Sequence, residues 1–184
     1  MKKIFLFYFL LIVIVSCKTT IDKEYLSSPS KNKGYYFLAT ATYNYFEFYP
    51  TDASADRNSY YSTNFKFRAP KGLIWWKQSG NNFFFEYDYK QIILIKTSFI
   101  NSKSKEEDWK LKDFDIEENF SESLFQYWRE REFSENSFFK KRKNRKSVIY
   151  SNGKHEIILF NIKQKNLEQF LYYSLSFEEM PRKF

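Results

Sequence analysis

Three carboxylates are the residues of this sequence whose spacing comes nearest to acid–base chemistry. Glu86 and Asp88 are two residues apart, so they share one face if the strand predicted there continues that far. Glu47 lies in a second segment of strand character, which can pair beside the first. Two carboxylates brought together can act as general acid and base, as in glycoside hydrolysis, or can bind a hard cation. The ordinary alternative is a solvated sheet face that carries charged side chains.

Two adjacent tryptophans, Trp75 and Trp76, lie in another predicted strand. Side chains alternate along a strand, so one indole is expected to face inward and the other to face the opposite side. The outer indole, together with Tyr60 and Tyr61 of a long loop, can stack on a sugar or pack against a protein partner. Burial of that second face under a helix explains the pair equally well. The candidate ligand platform therefore consists of Trp75, Trp76 and Glu86.

The cysteine and histidine counts exclude several kinds of catalytic and metal site. Cys17 is the only cysteine and His155 the only histidine, so a single chain forms no disulfide, CxxC redox pair, Cys/His zinc site or Cys–His catalytic pair. His155 follows a predicted hairpin turn, where we expect it to be exposed and not catalytic. Two S-x-x-K matches, at residues 28–31 and 102–105, lie in polar segments and are interpreted as chance. The sequence predicts no catalytic set, no cofactor and no metal site.

The N-terminus has the features of an export signal. The basic residues Lys2 and Lys3 precede an unbroken apolar run over residues 4–15. As a helix rising about 1.5 Å per residue, that run spans roughly 18 Å, well short of the about 30 Å hydrocarbon core of a bilayer. It therefore indicates the apolar region of a signal peptide. Residues 14–17, with the sequence Ile-Val-Ser-Cys, resemble the lipobox of bacterial lipoproteins.

This resemblance covers residues 1–17 only, and it implies cleavage between Ser16 and Cys17 with a diacylglyceryl group on the cysteine thiol. Two or three acyl chains anchor a protein durably, whereas one chain is marginal. The alternatives are an ordinary signal peptide and an uncleaved anchor with an incidental cysteine. Residues 18–20 contain neither the Asp that resembles an inner-membrane retention signal nor an acidic cluster that resembles a surface-export signal. We therefore expect a lipid-anchored protein of the bacterial cell envelope, attached to the outer membrane and facing the periplasm.

A strongly basic segment is the sharpest feature of the mature chain. Between residues 140 and 146, six of seven side chains are cationic, and Phe138 and Phe139 precede them. The cations are Lys140, Lys141, Arg142, Lys143, Arg145 and Lys146. Near a membrane, each basic residue contributes about 1 kcal/mol of attraction to anionic lipid. The alternative is a solvated loop. Nucleic acid also fits such a run, but an exported lipoprotein rarely meets it, so no nucleic-acid partner is expected.

Composition indicates one folded domain behind a tether. The chain has 184 residues, of which 22% are aromatic, whereas disordered chains contain few aromatics. Removal of residues 1–16 leaves 168, the usual size of one domain, with 28 basic and 22 acidic residues. Residues 17–34 are interpreted as the lipidated cysteine and a flexible tether, and residues 35–184 as a single globular domain. The aromatic excess fits an AT-rich genome and core packing, with a dedicated binding surface as the alternative.

The elements that must position these residues are mostly strands. Period-two patterns and turn residues predict strands over residues 35–49, 65–68, 73–78, 83–87, 91–99, 148–150 and 156–162. Residues 50–64 and 101–113 read as loops. The turn at Asn152-Gly153 favours a type I′ hairpin. Helices are predicted to begin near Ser121 and at Leu167, the second with Asn166 as its cap.

These patterns predict an α+β fold, a single domain with a mainly antiparallel sheet of about five to seven strands and about two helices packed on it. The leading functional hypothesis is a non-enzymatic binding or assembly module, anchored through Cys17, whose partner is another envelope component such as a protein. A hydrolytic or carbohydrate-binding role through Glu47, Glu86 or Asp88 and the tryptophans is the alternative. Docking of residues 140–146 on the membrane surface is the third hypothesis.

Overall fold

A computed structural model describes residues 34–49, 62–99, 103, 105–117 and 120–181. The predicted signal peptide, Cys17, the tether up to residue 33 and the loop residues Tyr60 and Tyr61 lie outside the described residues. None of the helices in the described part of the chain is long and apolar enough to cross a membrane.

The strands form two antiparallel sheets. The small sheet contains β1 (Tyr35–Ala39), β2 (Tyr43–Phe48), β3 (Phe65–Pro70) and β10 (Glu178–Glu179), in the order β1-β2-β3-β10. The large sheet contains β4 (Leu73–Ser79), β5 (Asn82–Tyr87), β6 (Gln91–Lys96), β7 (Lys110–Asp113), β8 (Arg145–Ser151) and β9 (Glu156–Lys163), in the order β4-β5-β6-β9-β8-β7. The predicted α+β class is therefore confirmed, with the strands divided between two sheets where one was expected.

Aromatic side chains fill the space between the two sheets. In β2, Phe46 and Phe48 point inward and are buried, while Tyr45 and Glu47 point outward. The ring of Phe46 lies 5.2 Å from that of Phe85 on the large sheet, edge to face. Burial of each such ring contributes about 1.5–3 kcal/mol. The period-two pattern of β2 therefore fixes one face in the inter-sheet core and leaves the other to solvent.

The chain passes from one sheet to the other at a two-residue corner. Lys71 and Gly72 connect β3 in the small sheet to β4 in the large sheet. Gly72 has a φ of +83°, in the left-handed region that favours glycine. Although β3 and β4 are neighbours along the chain, they belong to different sheets and do not pair, so the strands predicted for one sheet are divided between two.

Helices cover the remaining apolar surfaces. Helix α1 (Glu122–Glu130) begins at Ser121, whose hydroxyl accepts a hydrogen bond from the Leu124 amide. With the one-turn α2 (Glu135–Phe138), it packs on the outer face of the large sheet, burying Trp128 completely. Helix α3 (Leu167–Ser174) closes one end of the inter-sheet core, where Phe170 contacts Tyr87.

Three local predictions were wrong. Residues 110–113 form strand β7 and not a loop. The prediction missed this strand because its exposed, mostly charged side chains lack the apolar alternation by which a strand is recognised in sequence. Asn166 does not cap α3 with its side chain, which donates instead to the side chain of Gln91. The β8–β9 hairpin is confirmed, but four residues connect its last pair, and only Gly153 of Asn152-Gly153 has a positive φ. A type I′ turn requires two such residues.

Candidate functional site

Glu86 is a buried member of an ion pair beneath helix α1. Its side chain is 6% exposed. The Oε2 atom accepts hydrogen bonds from the Tyr127 hydroxyl at 2.9 Å and from Arg131 Nε at 2.7 Å. The hydrogen bond to Glu86 raises the pKa of Arg131, and burial, together with Glu86, raises the pKa of Tyr127. The carboxylate is therefore paired on both sides and closed off from a substrate by α1.

The two tryptophans lie on opposite faces of the large sheet, as alternation predicted. Trp76 is buried in the inter-sheet core, with its ring 5.1 Å from that of Phe46. Trp75 is only partly buried, packs in the helical layer and lies beneath the Arg131 guanidinium at 5.2 Å. Trp75 and Glu86 are paired across β4 and β5, so these two do share a face. The complete set of Trp75, Trp76 and Glu86 does not converge on one surface.

The other two carboxylates lie apart from Glu86. Glu47 is on the outer face of the small sheet, where it accepts a hydrogen bond from the Tyr45 hydroxyl. Burial and this carboxylate raise the pKa of Tyr45. Asp88 is exposed in a single 3-10 turn, Asp88–Lys90. Because Glu47 and Glu86 face away from opposite sides of the sandwich, the geometry does not support a joint acid–base site.

His155 is buried, contrary to the prediction of an exposed turn residue. It is 1% exposed, and its Nδ1 accepts a hydrogen bond from the Ser98 amide at 3.3 Å. A backbone amide can only donate, so the ring proton must be on Nε2, which lies 3.2 Å from Glu179 Oε2. Both ring nitrogens are thus occupied. The sequence did not reveal this burial because Ser98 and Glu179 are distant along the chain.

Burial lowers the pKa of His155, against the opposing effect of the Glu179 carboxylate. Burial alone would raise the pKa of Glu179, but the hydrogen bonds from Lys154 and His155 outweigh it and lower that pKa. We conclude that the folded protein holds a neutral imidazole beside a carboxylate whose charge is mainly satisfied by Lys154. Lys154 and Glu106 also act on the ring, the first lowering and the second raising the pKa of His155. This cluster fastens the β8–β9 hairpin to β10.

The domain is expected to lose stability as the pH falls from about 7 towards 5. The unfolded chain binds a proton at His155 with a pKa of about 6.5, whereas the folded pKa is lower. The unfolded state therefore binds more protons in this range, and the free energy of unfolding falls by up to about 1.4 kcal/mol per pH unit. Urea denaturation at several pH values measures this slope.

His155→Gln is the control for that titration, because glutamine keeps one donor and one acceptor. His155 is the only histidine, so the variant should show a shallower slope between pH 7 and 5. The lowered pKa of Glu179 acts in a more acidic range, below about 4.5. An equal slope in both proteins would contradict the assignment of a neutral buried ring.

The basic segment 140–146 divides into paired and unpaired cations. Lys141 bonds Asp115 at 3.0 Å, and Lys146 bonds Asp113 at 2.9 Å. Arg145 donates to the Asn161 carbonyl at 2.8 Å. Within the described part of the chain, Lys140, Arg142 and Lys143 form no ion pair. The segment borders an open cavity of about 320 Å³. Its positive charge that no carboxylate neutralises therefore comes from these three side chains and from Arg145, whose acceptor is a neutral carbonyl.

Exposed phenylalanines lie beside this segment. Phe139 and Phe120 are each 46% exposed, and their rings lie nearly parallel with centroids 6.3 Å apart. Phe138 is buried in the helical layer, so the predicted aromatic pair contributes only one exposed ring. Phe120 was missed from sequence, although it directly precedes the α1 cap and contacts Phe125, as a hydrophobic staple does. We call Phe120, Phe139 and the basic segment 140–146 the basic–aromatic patch.

Among the described residues, no group of three or more acidic, cysteine or histidine side chains is arranged to hold a metal ion. Comparison with known proteins found no match to any protein-family model, curated protein or solved structure.

Proposed function

We propose that this chain is a bacterial cell-envelope lipoprotein, cleaved before Cys17 and anchored by lipid on that cysteine. One observation carries the proposal: two lysines, a 12-residue apolar run, a small residue and cysteine occur in this order within residues 1–17. Lipid on Cys17 also accounts for a lone cysteine in an exported chain, since an unmodified thiol is a liability in an oxidising compartment. Attachment to the outer membrane, facing the periplasm, remains our preferred location.

Lipid labelling of the full chain in a bacterium with the lipoprotein-processing enzymes tests this anchor. We expect label from an alkyne fatty acid in the wild type and complete loss of label in Cys17→Ser, which lacks the nucleophilic thiol. Ser16→Ala is the matched control, because alanine keeps the small residue before the cleavage site and should preserve labelling. Persistent label in Cys17→Ser would overturn the proposal.

The anchored domain is best explained as a non-enzymatic binding module. The ionisable groups that offered chemistry are engaged within the fold: Glu86 by Arg131 and Tyr127, and His155 by Ser98 and Glu179. These contacts favour binding over the alternative hydrolytic role. A concentration of unpaired positive charge instead lies on the surface, in the basic–aromatic patch.

The basic–aromatic patch is the surface that we assign to the membrane. Lys140, Arg142 and Lys143 supply attraction to anionic headgroups, and Phe120 and Phe139 offer rings that can sit at the interface. Sixteen residues separate Cys17 from Gly34, and the predicted tether would reach roughly 20–25 Å as a flexible chain. The lipid anchor would therefore keep the domain near the membrane, where the patch can meet headgroups.

A protein partner in the envelope is expected on the opposite side of the domain. There the outer face of the small sheet presents Tyr36, Leu38 and Tyr45. Tyrosine is enriched at protein interfaces because its ring is large and its hydroxyl can hydrogen-bond. The two faces let one domain contact the membrane and a second envelope component together.

A further inference from the structure

Two cations face each other across the open end of the β8–β9 hairpin. Arg145, the first residue of β8, is directly paired in register with Lys163, the last residue of β9. Like charges directly opposite each other on neighbouring strands destabilise a sheet. No carboxylate of the described residues forms an ion pair with either side chain. The fold therefore holds an unneutralised pair of positive charges at a fixed position.

Neighbouring cations strengthen this field. Burial, and then repulsion from Arg142, lowers the pKa of Arg145. Desolvation, and then repulsion from Arg145 and Lys165, lowers the pKa of Lys163, and the opposing effect of Asp88 is smaller. These four cations therefore lie close enough to disfavour one another's charge.

Three of these four cations line a concave surface. Arg145, Lys163 and Lys165 border a cleft of about 450 Å³ together with Asn144 and Gln164. The backbone amide of Gln164 donates a hydrogen bond to the backbone carbonyl of Asn144 at 3.1 Å, which joins two of the lining residues. Amide side chains beside cations add neutral hydrogen-bond donors to the cleft.

Backbone in an unfavourable conformation adjoins two of these cations. Tyr89, Lys90 and Asn161 have φ values of 61°, 62° and 55°, in the left-handed region that residues other than glycine rarely adopt. Asn161 holds the arrangement, since its Nδ2 donates to the carbonyls of Tyr89 and Lys90. Lys163 Nζ lies over the face of the exposed Tyr89 ring, 3.3 Å from its centroid, in a cation–π contact. Strain of this kind clusters at functional sites.

We propose that the cleft between Arg145 and Lys163 binds a phosphate group. A guanidinium fork recognises phosphate oxygens in two directions, and an ammonium adds a compact charge, so the two together match a multiply charged tetrahedral anion. The source is a phospholipid headgroup or a free phosphate compound. Binding of phosphate at this site does not require the lipid anchor. If the source is a phospholipid headgroup, however, the inference rests on the proposed function, because Arg142 and Arg145 belong to the basic–aromatic patch that we assign to the membrane.

Titration of the full mature chain in neutral detergent tests the site. Inorganic phosphate is added at constant ionic strength, with chloride as the reference, and binding is followed by calorimetry and by the thermal midpoint. We expect saturable binding to the wild type and at least a tenfold loss of affinity in Lys163→Gln and in Arg145→Gln. Lys71→Gln, with the same loss of charge at the β3–β4 corner, should bind as the wild type does.

Stability without ligand separates a binding role from a structural one. Lys163→Gln removes repulsion, so its thermal midpoint in chloride should equal or exceed that of the wild type. A lower midpoint would overturn the proposal, as would equal effects of phosphate and chloride, or an affinity loss in Lys71→Gln as large as in Lys163→Gln.

Vesicles distinguish the two sources of phosphate. If affinity for phosphatidylglycerol vesicles over phosphatidylcholine vesicles falls in Lys163→Gln as it does for inorganic phosphate, the ligand is a headgroup. If only inorganic phosphate responds, the ligand is a free phosphate compound. Both results support the site, and neither depends on lipid labelling at Cys17.

Discussion

Replacement of Arg131 by methionine is expected to lower the free energy of unfolding by about 2–4 kcal/mol, because Glu86 would keep its buried charge without its cationic partner. This expected loss is at the lower end of the losses usually measured when a buried ion pair is broken. The reason is that the Arg131 side chain is 32% exposed, so water partly screens its interaction with Glu86. The Tyr127 hydroxyl would be left as the only hydrogen-bonded partner of the carboxylate that the structure shows. Urea denaturation measures the change, with the slope against urea as the check for two-state unfolding.

Two further variants decide what that loss means. Arg129→Met removes an exposed arginine whose bond to Glu135 is 3.1 Å long, and it should cost less than about 1 kcal/mol. Glu86→Gln combined with Arg131→Met removes the buried charge as well and should recover part of the loss. Unchanged or higher stability in Arg131→Met would contradict the structural role of this ion pair.

Short-range features of this fold could be predicted from sequence. The β4–β5–β6 meander has short connections and clear β-type segments, and both its pairings are antiparallel as expected. The placement of Trp75 and Trp76 on opposite faces follows from alternation alone. The start of α1 at Ser121 follows from its capping side chain. Each of these depends on residues that are close along the chain.

The features that could not be predicted depend on contacts between distant segments. His155 is buried because β10, 24 residues later, brings Glu179 to its ring. Glu86 looked like a solvated carboxylate because its partner, Arg131, is 45 residues away. Likewise, Arg145 and Lys163 become neighbours only when the long register of β8 and β9 is known. Periodicity gives the face of a residue but not the element that covers it.

The basic–aromatic patch was predicted in part for the same reason. Its cations form one continuous run, so their charge is visible in the sequence. The neutralisation of Lys141 and Lys146 by Asp115 and Asp113 requires the fold, as does the arrival of Phe120 beside Phe139. The structure thus reduces the run to fewer free charges and adds an aromatic component to it.

Reversal of charge in this patch is expected to weaken binding to anionic vesicles by on the order of 10³-fold at low salt. The variant is Lys140→Glu combined with Lys143→Glu, in a lipid-free chain beginning at Lys18. Each lysine contributes about 1 kcal/mol, and each glutamate adds repulsion of similar size, so the total change is about 4 kcal/mol. Co-sedimentation with phosphatidylglycerol vesicles measures the partition coefficient, and added salt should reduce the difference because the charges are exposed.

The matched control separates the patch from net charge. Lys71→Glu combined with Lys105→Glu makes the same change in net charge at exposed positions outside the patch. Because electrostatic attraction fades within a Debye length of about 10 Å at 0.1 M salt, only lysines held against the headgroups should matter strongly. Phe139→Ser should weaken the binding that persists at higher salt, since it removes an exposed ring from the interface. Equal losses in the two double variants would mean that the whole positive charge of the domain, and not this patch, attracts the membrane.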